Sequence, residues 1–83
     1  MATKLQKITS GLEMLMEDTS VPRNIRKAAE QIKALLSSGN DPLDVRKAQA
    51  INTLDDMAND PNIPLHGRTL VWNIMSQLET LAA

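Results

Sequence analysis

The sequence predicts an all-α fold, a four-helix up-and-down antiparallel bundle built from two duplicated helical hairpins, and three observations predict it. The first is a repeat 42 residues apart: Asp18, Val21, Pro22, Arg26, Ile32 and Leu36 reappear as Asp60, Ile63, Pro64, Arg68, Ile74 and Leu78, and Leu12-Glu13 answers to Leu54-Asp55. The second is apolar residues at three- and four-residue steps in four segments, with no alternation of the kind a half-buried strand requires. The third is short, proline-bearing connections, which force sequential helices to lie antiparallel. A repeat of this size is one supersecondary unit that cannot bury its apolar face alone. The copies, about residues 12–36 and 54–78, are therefore expected to close on each other within one domain spanning residues 1–83.

Helix one is expected over residues 3–17, striped by Leu5, Ile8, Leu12 and Leu15. Helix two, over 22–38, carries Ile25, Ala28, Ile32 and Leu35. Pro22 suits its first turn, where a missing N–H costs no hydrogen bond, and Ser20 offers a capping oxygen. Gly39 is expected to end this helix in the left-handed conformation. Asp41-Pro42-Leu43-Asp44 then starts helix three, over 42–58, with Leu43, Ala50, Ile51, Leu54 and Met57 on its apolar face. Asn62 and Pro64 repeat the roles of Ser20 and Pro22 before helix four, over 64–81, striped by Val71, Ile74, Leu78 and Leu81.

Composition narrows function mainly by exclusion. Eighty-three residues make a core that is marginal without help, and the absence of cysteine removes disulfides and thiolate metal sites as that help. It also fits a reducing cytoplasm, so a cytoplasmic location is expected. Self-association is left as the prop. Nine basic against ten acidic residues give no field that would steer the chain to nucleic acid or an acidic membrane. No apolar run is long enough to span a bilayer, so no membrane partner is expected. Trp72 is the sole aromatic residue, which leaves an aliphatic core and no stacking platform for single strands.

Glu13, Glu17 and Asp18 close helix one, and Asp55, Asp56 and Asp60 close helix three, at the negative ends of the helix dipoles. Arg26 and Arg68 stand near positive ends. Pairing Asp18 with Arg26 and Asp60 with Arg68 across each hairpin resolves both misplacements, so these four are predicted as structural loop clamps. A divalent metal on Asp55, Asp56, Asp60 and His66 is the sharper alternative, but hard cations want six or more oxygens, and Asp55 and Asp56 point about 100° apart on a helix. No metal or other cofactor is expected. His66, matching Asn24 in the first copy, reads as a solvent-facing turn residue. Dispersed serines and a single histidine suggest no nucleophile, base and orienter, and the three glycines form no phosphate loop, so no catalytic residue is assigned.

Two surfaces remain. Arg23, Arg26, Lys27 and Lys33 form a basic face on helix two, interrupted by Glu30, whose function would be contact with nucleic acid or a ribonucleoprotein. Leu65, Trp72 and Met75 lie off the core stripe of helix four, where the first copy carries Arg23, Glu30 and Lys33. The copies share their inner face and differ on this outer one, which marks a candidate interface.

Ile25-Arg26-Lys27-Ala28, Val45-Arg46-Lys47-Ala48 and Arg68 resemble the second-helix starts of HEAT repeats, where a basic residue braces an acidic loop. The whole chain, with Glu17-Asp18, Val21-Pro22-Arg23-Asn24-Ile25-Arg26-Lys27-Ala28-Ala29 and Asp60-Pro61-Asn62-Ile63-Pro64, resembles uncharacterised protein family 0147. That resemblance implies short archaeal proteins, a four-helix bundle and no assigned activity or catalytic residues. From the residues themselves, the expectation is a non-enzymatic interaction module that forms homo-oligomers, a dimer first, with nucleic-acid binding as the alternative.

Overall fold

Proline and the edges of the apolar stripes set the helix boundaries. A computed structural model describes residues 3–81. It contains α1 (Lys4–Glu17), α2 (Arg23–Ser38), α3 (Leu43–Ala58) and α4 (Leu65–Glu79), each within two residues of the ends read from the sequence. Each helix packs on its two neighbours in the ring α1-α2-α3-α4, and the backbones of the diagonal pairs stand further apart. This is the up-down-up-down bundle that short connections dictate.

The core is aliphatic. Ile8, Leu12 and Leu15 of α1, Ile32 of α2, Leu54 of α3 and Val71, Ile74 and Leu78 of α4 are essentially inaccessible. In α2 the buried stripe is Ile25, Ala29, Ile32 and Leu36, so Ala28 and Leu35 of the expected stripe stand at its edge, half-buried. Leu5 is exposed rather than part of the α1 core.

Capping departs from the expectation at four helix ends, the starts of α2, α3 and α4 and the end of α2. Pro22, Pro42 and Pro64 themselves occupy the N-cap positions, and none of these helices has a side-chain cap. Ser20 does not cap α2; its hydroxyl donates to Asp18 Oδ1 at 2.6 Å. Gly39 is extended, with φ −68° and ψ 146°, not left-handed. Glycine is required there for space: a Cβ would collide with Arg46 Cδ and lie 2.7 Å from the Leu35 carbonyl oxygen. Among the described residues only α1 has a capping box, between Thr3 and Gln6, which closes two free backbone donors reciprocally.

The two interhelix loops that repeat in sequence also repeat bond by bond. Asp18 Oδ1 accepts from Ser20 N at 2.9 Å, and Asp60 Oδ1 from Asn62 N at 2.8 Å. Val21 N donates to Asp18 O, and Ile63 N to Asp60 O. These bonds make each aspartate the organiser of its own turn, and each turn delivers one apolar residue, Val21 or Ile63, into the core.

Candidate functional site

At the loop end of the bundle the two hairpins are joined crosswise. Asp18, at the end of α1, has His66 Nε2 2.7 Å from its Oδ2 across the α1/α4 interface. Asp60, beyond α3, accepts from Asn24 Nδ2 at 3.1 Å across the α2/α3 interface. Asn24 and His66 occupy the same place in the two copies. Each turn-forming carboxylate thus reaches the helix start of the other hairpin. These bonds hold both carboxyls below the ordinary range: Asp18 falls to about 2, through the Ser20 hydroxyl, the Ser20 N–H and then His66. Asp60 is lowered by Asn62 N–H and then Asn24.

Neither predicted carboxylate–guanidinium clamp forms. Asp18 is taken by Ser20 and His66, while Arg26 is half-buried with its Nε lacking a partner among the described residues. Arg68 does brace the loop beside Asp60, but through carbonyl oxygens: Nε donates to Ala58 O at 3.0 Å and Nη2 reaches Asp60 O at 3.5 Å. Arg46 caps α2 in the same manner, with Nη1 2.9 Å from Leu36 O and Nε 2.9 Å from Asp41 O. An arginine satisfies the free carbonyls of a helix end directly, which removes the need for a carboxylate partner.

Ser20, His66 and Asp18 are the three residue types of a hydrolytic triad, brought together from separate turns. Their geometry does not suit that chemistry. A triad histidine bridges its partners through opposite ring nitrogens. Here Ser20 Oγ, at 3.1 Å, and Asp18 Oδ2 both approach Nε2, and the hydroxyl is already bound to the carboxylate. The carboxylate can only accept, so Nε2 carries the hydrogen and cannot take a proton from serine. The cluster ties the loops together. Among the described residues no three His, Cys, Asp or Glu side chains converge as a metal site. Of the metal-ligand alternative, His66 and Asp60 have turned to Asp18 and Asn24, and Asp55 and Asp56 face solvent.

The basic face divides. Arg23, Arg26 and Lys27 line a shallow groove with Glu30 and Met16, whereas Lys33 lies 3.9 Å from Glu13 of α1.

The α4 residues fall where the comparison of copies puts them. Leu65 is 73% exposed and Trp72 53%, while Met75 is half-buried against the edge of the core. At about 100° per residue, Leu65 and Trp72 lie on the same outer side of α4, turned from the core toward α3, with Met75 between them and the core. A second apolar feature, not singled out in the sequence, runs between α1 and α4. Gly11, Met14, Leu70 and Ile74 line a groove of about 450 Å³, and Met14 is 61% exposed. The same contrast between copies could have found it, since Gly11, Met14 and Leu70 correspond to Thr53, Asp56 and Ala28, which line the sister groove between α2 and α3. No helix among the described residues is long and apolar enough to cross a membrane.

Known proteins resemble this chain throughout its length. The model of the family described as "Uncharacterised protein family (UPF0147)" matches residues 1–81. A UPF0147 protein of Methanosarcina mazei is 51% identical over 70 residues, covering 84% of this chain and 75% of the relative. One from Thermococcus kodakarensis is 47% identical over 81 residues, covering 95% and 96%. A crystal structure of a UPF0147 protein from Thermoplasma acidophilum superposes with a TM-score of 0.90 at 46% identity, over 95% of this chain and 93% of that one. Matched in sequence over nearly every residue and in fold over nearly every helix, the chain belongs to the uncharacterised protein family UPF0147.

Proposed function

We propose that this protein is a non-enzymatic helical interaction module of the cytoplasm that self-associates, with the outer face of α4 as its contact surface and a homodimer as its working form. The observation that carries the reading is Trp72, the one aromatic residue, more than half exposed beside a Leu65 that is nearly three-quarters exposed. The equivalent positions of α2 are Glu30 and Arg23, so the bundle does not need apolar residues there. Tryptophan is enriched among the residues that dominate association energy, and a two-fold dimer is the commonest way for one patch to cover itself. A core of this size also gains from added burial in the absence of disulfides. The shared Nε2 contact of Ser20 and Asp18 on His66 argues against hydrolytic chemistry. The basic face of α2 lends nucleic-acid binding less support, since Glu30 sits among its cations and Lys33 faces Glu13.

Trp72 is its own reporter. On dilution of the wild-type chain its fluorescence is expected to shift to longer wavelength as the contact opens, with little dependence on salt. Emission that stays constant across the concentration range contradicts the proposal.

A further inference from the structure

The first turns of α2 hold three cations with no carboxylate partner. Arg23, Arg26 and Lys27 line a groove of about 310 Å³ with Met16 and Glu30, and among the described residues none of the three makes an ion pair. Arg23 stands three residues from Arg26 and four from Lys27, the spacings at which like charges on a helix repel. They also sit at the positive end of the helix dipole, where Pro22 supplies no side-chain cap. The arrangement costs the folded chain stability on both counts, and an anion seated in the groove relieves both.

The second copy shows that the scaffold does not require this arrangement. Arg23 and Lys27 are matched there by Leu65 and Thr69, and Glu30 by Trp72. Arginine recurs at Arg68, which is committed to Ala58 O and Asp60 O. Arg26 makes no such bond among the described residues, and its Nε is buried without an acceptor. The same arginine braces the loop in one copy and is free of it in the other.

We propose that this groove binds a small phosphate monoester through Arg23, Arg26 and Lys27. Charge selects the class. Three cations against Glu30 leave two positive charges, and a phosphate monoester carries about two negative charges at pH 7, where a carboxylate or a phosphodiester carries one. The planar fork of arginine pairs with phosphate oxygens through parallel bonds, and lysine adds a point charge. Met16, half-buried, gives an apolar wall for the carbon of the ester. The groove is separate from the outer face of α4, because α2 and α4 occupy opposite corners of the ring, so it stands or falls apart from self-association.

Inorganic phosphate and glycerol phosphate, titrated into the isotopically labelled wild-type chain at constant ionic strength, are expected to move the backbone amide resonances of residues 23–30 saturably. The double variant Arg23→Leu, Lys27→Thr, which carries the residues of the second copy, should weaken both about tenfold or more with helical circular dichroism intact. Lys33→Gln, outside the groove and facing Glu13, should change affinity by less than about twofold, and Glu30→Gln should tighten it about threefold. Shifts that never saturate overturn the proposal. So does a Lys33 variant as impaired as the double variant, which would reduce the groove to a general field. An oligonucleotide without terminal phosphates that moves the same amides at lower concentration than glycerol phosphate assigns the groove to nucleic acid and overturns the monoester.

Discussion

Gly39→Ala tests the idea that an arginine, not a carboxylate, secures the helix ends. At φ −68° alanine is conformationally acceptable at this position, and the loss of unfolded-chain entropy alone would stabilise by about 0.4–1 kcal/mol. Packing opposes it. The new Cβ would meet the stem of Arg46 and the Leu35 carbonyl oxygen, so the Arg46 side chain must move. Its bonds to Leu36 O and Asp41 O, both 2.9 Å, and the longer one to Leu35 O at 3.4 Å would loosen together. At about 0.5–1.5 kcal/mol net for each good bond, that loss is about 1–3 kcal/mol, and it exceeds the entropic gain. The expected net destabilisation is about 1–2 kcal/mol, or roughly 5–15 °C in Tm for a domain of this size. Thermal and urea unfolding followed by helical circular dichroism read it directly. In an Arg46→Ala background the cost of alanine at 39 should fall by about half or more, the Leu35 contact accounting for the remainder. A Gly39→Ala chain as stable as wild type, or an unchanged cost in the second background, would refute the reasoning.

Two further predictions follow from the loop end. Arg68→Met removes the donors to Ala58 O and Asp60 O and should cost about 1–2 kcal/mol, while Arg26→Met removes a buried Nε without a partner and should be neutral within about 0.5 kcal/mol or stabilising. Equal losses in urea unfolding at one chain concentration would contradict that asymmetry. The Asp18 carboxyl, held to about 2 in the folded chain against an ordinary value near 3.8, binds protons more tightly when unfolded. Its contribution is therefore complete above about pH 4 and is lost as pH falls through its folded value. Asp18→Asn should flatten the acid limb of the stability curve between about pH 4 and 2. An acid limb identical to that of wild type would rule this out.

The helices were legible because their signals are local. Pro22, Pro42 and Pro64 mark three starts, and the spacing of Ile8, Leu12, Leu15 or Val71, Ile74, Leu78 is a property of one segment at a time. The exposure of Leu65 and Trp72 was legible for a different reason: the first copy carries Arg23 and Glu30 on the same backbone scaffold and serves as an internal control. The clamps were misread because their partners are fixed by tertiary placement. Asp18 and Arg26 are close in sequence, but closure of the ring sets His66 of the other hairpin against Asp18, and the Ser20 N–H and hydroxyl occupy Oδ1. The role of Gly39 was hidden likewise, since its demand comes from Arg46 folding back across the loop and not from its own backbone angles.

The most direct test of the central claim, that the outer face of α4 joins two copies, is sedimentation equilibrium across a wide range of chain concentration. The wild-type mass should rise toward twice the 9.1 kDa of one chain. The double variant Leu65→Arg, Trp72→Glu, which restores the chemistry of Arg23 and Glu30, should remain at the single-chain mass with its helical circular dichroism intact. A wild-type chain that stays at 9.1 kDa at the highest concentration, or a double variant that dimerises as well as wild type, would contradict the account.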